Sequence, residues 1–276
     1  MRSKRIFSCI LVFFLFFIIS ISSVYSNIKQ KPIYHSNECY CNENDKDFID
    51  LNKYLSSKNF SILGDSISTF SGYSNDNKNT NSTIGSNAVY YNPEKRDFKD
   101  VNDTWWMRVV NETSMNLLVN NSWSGDKVIT KATKRASELH DDTGNNKGTN
   151  PDIIAIYLGT NDYNYKVDLN KFYEEYEKMV KIIIDTYDNP DIFLINILPN
   201  GKTPVAEIYL YNDVIRSIAY KYNCTLVDIF NNSSMDLSNM SEYTLDPLMI
   251  HPNEKGMERI KDVFVDALID KYIKKK

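Results

Sequence analysis

A serine stands where a short apolar run breaks. In residues 59–70 (NFSILGDSISTF) the run Phe60-Ser61-Ile62-Leu63 stops at Gly64-Asp65-Ser66, which reads as a buried strand breaking into a turn at its C-terminal end. Gly, Asp and Ser are ordinary turn residues, so this tripeptide is weak evidence by itself. Two later turns resemble it in position: 121–126, which carries Gly125, and 159–162, which carries Asn161. Of the three histidines, His35, His140 and His251, only His251 falls near an equivalent edge, at the start of the last helix. A serine nucleophile needs a base to take its proton, and acyl transfer needs donors aimed at the oxygen that becomes negative. Ser66, Gly125, Asn161 and His251 supply both kinds of group.

Such a set works only if the chain brings the turns to one edge. Apolar runs predict strands over 60–63, 116–120, 151–158, 191–198 and 225–229. Helical spacing predicts helices over 47–57, from a cap at Asp103 to about Met115, and over 127–140, 169–187 and 205–222. A last helix opens at Pro252-Asn253, both suited to a helix start, and runs to about Ile273. Strands that alternate with helices imply a parallel sheet covered on both faces, here α/β in the order 2-1-3-4-5. In such a sheet the ligand site lies outside the carboxyl ends of the strands, where these turns fall. The polar stretch 71–100 holds Tyr73, Val89, Tyr90 and Tyr91; a long loop of this kind beside a site is either a binding element or disordered, and the aromatics favour binding. Trp105 and Trp106 read first as core. His35 and His140 read as solvated loop residues.

The chain has 276 residues, 42% of them hydrophobic, enough for one sizeable core. Residues 1–26 join a basic start (Arg2, Lys4, Arg5) to an apolar stretch and the small-residue pattern Val24-Tyr25-Ser26. This predicts a secretory signal peptide, with an uncleaved membrane anchor as the alternative. Either way the bulk lies outside the cytoplasm, secreted or extracytoplasmic. Residues 27–57 read as a linker and short helix, and 58–276 as the globular domain. Loss of the leader removes three basic residues and no acid, taking the net charge from −4 to about −7, so no nucleic-acid or other polyanion partner is implied. Cys39, Cys41 and Cys224 remain after the leader; Cys39 and Cys41 are too close to favour pairing with each other, and one of them with Cys224 would leave an odd thiol. No metal-ligand spacing, Gly-rich phosphate loop or internal repeat appears, so no metal or cofactor is expected.

Four motifs follow in order: Gly64-Asp65-Ser66-Ile67-Ser68, Asn120-Asn121-Ser122-Trp123-Ser124-Gly125, Gly159-Thr160-Asn161-Asp162 and His251-Pro252-Asn253. In this set the chain, from about Lys58 to its C-terminus, resembles the SGNH hydrolase superfamily, also called GDSL esterases and lipases. The resemblance implies a flavodoxin-like three-layer α/β/α fold with a five-stranded parallel sheet. It also implies Ser66 as nucleophile, His251 as general base, and an oxyanion hole from the Ser66 and Gly125 N–H groups and the Asn161 amide. One position departs from the family. The acid expected three residues before the histidine is replaced by Leu248, and the nearest upstream carboxylate is Asp246. Either the intervening loop bulges to bring Asp246 back to His251, or the pair works as a dyad.

The implied activity is hydrolysis of O-acyl esters, with O-acetyl esters of carbohydrate favoured by the similarity of GDSISTFSGY and Thr104-Trp105-Trp106 to bacterial members of that kind. The implied partner is a small-molecule or glycan ester, and a membrane enters only through an uncleaved N-terminal segment. A lipid ester or thioester is the competing substrate. A non-catalytic carbohydrate-binding protein that keeps the fold is the competing class.

Overall fold

The computed structural model of the protein describes residues 43–74, 89–141 and 148–274. The expected leader, most of the linker, and Cys39 and Cys41 lie outside the described residues, and with them any pairing to Cys224. Among the described residues, no helix is long and apolar enough to cross a membrane.

Five parallel strands form the sheet: β1 (Asn59–Gly64), β2 (Asn116–Ser122), β3 (Ile153–Tyr157), β4 (Asp191–Ile195) and β5 (Thr225–Val227). Their order is β2-β1-β3-β4-β5, the expected one. Alternation along each strand divides the core between two faces. Phe60 and Ile62 of β1, Ala155 and Tyr157 of β3, and Phe193 and Ile195 of β4 join one buried cluster. That cluster includes Leu51 of α1 (Glu43–Leu55), Trp105 and Trp106 of α2 (Trp105–Thr113) and Phe264 of α5 (Glu254–Ile269). Leu63, Ile154, Ile156 and Leu194 face the other way, against Phe172 and Tyr176 of α3 (Leu169–Thr186) and Ile208 and Ile215 of α4 (Val205–Lys221). The result is the three-layer α/β/α arrangement. Trp105 and Trp106 are both fully buried, as core residues.

Three local expectations change. Thr104, not Asp103, caps α2: its hydroxyl accepts from the Met107 N–H at 3.3 Å, while Asp103 lies in the preceding turn and pairs with Arg108. The helix expected over 127–140 shrinks to a wide turn, Val128–Ala132, and one short helical turn, Thr133–Arg135. The backbone beyond it is taken by tertiary partners: the Leu139 N–H donates to Tyr187 Oη, and the Glu138 and Leu139 carbonyls accept from Asn121 and Ser61. His140 is half-buried beside Tyr187 rather than solvated.

Candidate active site

The register of the sheet sets the site. Gly64 lies opposite Ser122 on β2 and Tyr157 on β3, so the three turns that follow leave the same edge together. Gly64 is required by close approach: a Cβ there would fall 2.7 Å from Ser122 Oγ and 2.8 Å from the Ser68 side chain. The chain then enters a short 3-10 turn, Ser66–Ser68, capped by Asp65, whose carboxylate accepts from the Ile67 N–H at 3.0 Å. Behind this turn, Asn120 donates to the Ser68 carbonyl at 2.9 Å and the Trp105 indole N–H donates to Ser68 Oγ at 3.1 Å. The turn that carries Ser66 is thus pinned from two elements.

Ser66 is 5% exposed, and its Oγ lies 3.0 Å from His251 Nε2. His251 Nδ1 lies 3.0 Å from Asp246 Oδ2. The five-residue separation closes through a loop. The Leu245 N–H donates to the His251 carbonyl, which ties the two ends of the loop, and the Met249 N–H donates to the Asp246 carbonyl to make a tight turn. Met249 takes the left-handed conformation, φ 53°, which bends the chain back. The Asp246 carboxylate gathers the N–H groups of Leu248 at 3.1 Å and His251 at 2.8 Å as well as the imidazole. Burial raises its pKa, but the hydrogen bonds from the His251 ring and backbone outweigh this and hold it below the ordinary carboxylate value.

The other two turns are tied to each other. Gly125 has φ 75°, and a Cβ there would meet nothing within 4 Å, so its glycine serves the left-handed backbone. The Trp123 N–H donates to the Gly64 carbonyl at 3.1 Å, joining this turn to the end of β1. Asn161 Nδ2 donates to the Asp126 carbonyl at 2.9 Å and, weakly, to Asp65 Oδ2 at 3.4 Å. Asp162 accepts from the Val128 N–H at 2.9 Å. Beneath lies a buried Arg135, paired with Asp126 and bonded to the Asn121 carbonyl. Burial, with Asp126 and Asp162 nearby, pushes Asp65 up to about 7. Burial likewise pushes Asp162 up to about 7, against the pull of its backbone N–H partners.

Sequence reasoning read the 71–100 stretch as a binding element but missed how tightly part of it is built in. Tyr91 is fully buried, and its Oη donates to the Pro252 carbonyl at 2.8 Å. Tyr90 lies flat on His251. The signal available in the sequence was only a pair of tyrosines in a polar stretch.

The family model for GDSL-like lipase/acylhydrolase matches residues 58–268. The chain belongs to the GDSL-like lipase/acylhydrolase family. Solved structures share its fold. One described as a GDSL-like lipase of Bacteroides ovatus is 25% identical with a TM-score of 0.56, over 80% of this chain and 99% of that one. An esterase of Pseudoalteromonas, EstA, shares the fold at 20% identity and a TM-score of 0.53, over 79% of this chain and 100% of its own. A lipase/acylhydrolase of Enterococcus faecalis does so at 16% identity and a TM-score of 0.55, over 78% and 96%. No curated protein matches the chain. As a GDSL-type protein, it is a serine ester hydrolase.

Proposed function

We propose that this GDSL hydrolase is a secreted esterase that removes O-acyl groups, O-acetyl above all, from carbohydrate by two-step acyl transfer on Ser66. The reading rests on one observation: the hydrogen-bonded chain Ser66 Oγ, His251, Asp246, with both imidazole nitrogens engaged at 3.0 Å. Asp246 accepts from Nδ1–H and so leaves Nε2 free to take the Ser66 proton. As that proton moves to His251, Ser66 Oγ bonds to the ester carbonyl carbon and the carbonyl oxygen becomes an oxyanion. The Ser66 and Gly125 N–H groups and Asn161 Nδ2 are its donors, Asn161 using the hydrogen whose present contact with Asp65 is weak. Collapse of this intermediate breaks the bond to the leaving alcohol, which takes the proton from His251. Water, deprotonated by His251, then attacks the acyl-Ser66 carbonyl; the acid leaves and Ser66 regains its proton. These steps need no metal or cofactor.

Carbohydrate is favoured over a lipid chain by the side chains around the turns. Tyr165, just after Asn161, is 62% exposed, and Lys127 and Lys202 both lie over its ring, at 4.7 and 4.3 Å. An exposed aromatic side chain with two ammonium groups over it makes this edge of the site polar and charged, which suits a polar ligand better than an acyl tunnel. Secretion rests on the basic-apolar leader alone. The test is release of acetate from acetylated polysaccharide and of p-nitrophenol from p-nitrophenyl acetate by wild type and Ser66→Ala. The variant is expected to fold and to lose several orders of magnitude in kcat. Activity within tenfold of wild type would remove Ser66 from the mechanism, and activity on long-chain esters alone would overturn the carbohydrate reading.

A further inference from the structure

Tyr90 and His251 are stacked face to face, with ring centroids 3.4 Å apart and planes inclined by 9°. The Arg96 guanidinium lies over the same tyrosine, 4.4 Å from its centroid. The stacked imidazole leaves no room on its side, so Arg96 covers the opposite face. The tyrosine is therefore held between a guanidinium and the imidazole.

This stack is anchored on both sides of the site. The Tyr90 N–H donates to Thr69 Oγ1 at 2.8 Å, and Thr69 Oγ1 in turn donates to the Ser66 carbonyl at 2.8 Å. The next residue, Tyr91, packs edge-on against Tyr90 at 5.0 Å and 74°, and holds the Pro252 carbonyl through its hydroxyl. One dipeptide thus reaches both the turn of Ser66 and the two residues His251-Pro252.

The geometry defines what such a stack does. The hydrogen bonds at Nδ1 and Nε2 hold the imidazole within its own plane, and with the bond to Cβ they resist a tilt of the ring face only weakly. A ring lying flat at van der Waals distance blocks that tilt. The bond at Nε2 is also lost once Ser66 carries an acyl group, so the ring is then held by Asp246 and by whatever covers its face. When the imidazole takes a proton, the tyrosine face is a favourable surface for the cation. We propose that Tyr90 is a positioning residue of this hydrolase, holding the imidazole plane of His251 through both halves of the reaction. The inference rests on the Ser66–His251 mechanism above.

The aromatic ring is the part that matters, because the contact is face to face. Kinetics on p-nitrophenyl acetate, a substrate too small to need an extended binding surface, tests this with Tyr90→Leu and Tyr90→Phe. A misplacement of the base by about 1 Å can cost 10²-fold, so Tyr90→Leu is expected to lower kcat roughly 10- to 100-fold with KM changed less than about threefold. Tyr90→Phe is expected to restore kcat to within about threefold of wild type. If leucine disturbs folding, as judged by circular dichroism and thermal melting, Tyr90→His supplies a second planar ring; it should retain most of kcat. A kcat for Tyr90→Leu within twofold of wild type would overturn the proposal. So would an equal loss in Tyr90→Phe, which would assign the role to the hydroxyl, or a change confined to KM, which would make Tyr90 a substrate contact. Ser66→Ala measured alongside separates the two levels: if it remains active, the mechanism itself fails, whereas a dead Ser66→Ala with an unaffected Tyr90→Leu removes only the positioning role.

Discussion

Asp246→Asn is the perturbation whose outcome follows most closely from the geometry. Asp246 Oδ2 accepts from both the His251 N–H at 2.8 Å and His251 Nδ1 at 3.0 Å, while Oδ1 takes the Leu248 N–H at 3.1 Å. An asparagine keeps the shape but turns one of these two acceptors into an NH2 donor. If its oxygen stays on Leu248, the new NH2 faces the backbone N–H and Nδ1 of His251, so Nδ1 must give up its hydrogen and accept. The imidazole hydrogen then sits on Nε2, pointing at Ser66 Oγ, and the base has no lone pair for the serine proton. If the amide flips, its oxygen can serve His251, but its NH2 is driven against the Leu248 N–H. The loop strains in one case and the tautomer is wrong in the other. Wrong-tautomer substitutions of this kind cost up to about 10⁴ in kcat, about 5.5 kcal/mol at 1.36 kcal/mol per decade. The assay is steady-state hydrolysis of p-nitrophenyl acetate at pH 8, with the fold checked by thermal melting. A loss of less than about fivefold would refute the reasoning and leave a Ser66–His251 dyad.

Asn161→Ala should lower kcat by roughly 10² to 10³, about 2.7 to 4 kcal/mol, with KM little changed; a defect in KM alone would make Asn161 a binding or turn residue. Asp65 is pushed from 3.8 up to about 7 in the fold, so the folded chain holds more protons than the unfolded chain between those values. The stability this contributes is fully present below about pH 4 and is lost as pH rises through 7, up to roughly 4 kcal/mol. Asp65→Asn lacks that dependence. Its denaturant-measured stability, relative to wild type, should therefore fall steadily from pH 8 to pH 4, and a constant difference would contradict the assignment of the shift to Asp65.

The fold was legible because each strand is a short apolar run with a punctuated end. Phe60 to Leu63 stops at Gly64, and Ile153 to Tyr157 stops just before Gly159, so strand ends and turns could be placed without any contact information. Helix lengths were less legible where tertiary partners claim the backbone, as at Glu138 and Leu139. Ser66, Gly125 and Asn161 stand in turns at one sheet edge, and their grouping needs only the strand order; His251 joins them from the start of the last helix. The meeting of Asp246 with His251 is different. It depends on the left-handed Met249, the turn at 246–249 and the bond from Leu245 to the His251 carbonyl; the sequence offers the bulged loop only as one of two alternatives, because a left-handed non-glycine residue cannot be read from it. Tyr90 was hidden for a related reason, since a loop tyrosine gives no sign of which ring it will cover.

The central claim, that Ser66 forms the covalent acyl-enzyme, is tested most directly by labelling the protein with a fluorophosphonate and locating the adduct by peptide mass spectrometry. The account predicts one adduct per chain, on Ser66, absent in Ser66→Ala and strongly slowed in His251→Ala, because the phosphorus electrophile needs the same deprotonated oxygen as the ester. An enzyme that hydrolyses p-nitrophenyl acetate while Ser66 stays unlabelled, or that carries its label on another residue, would contradict it.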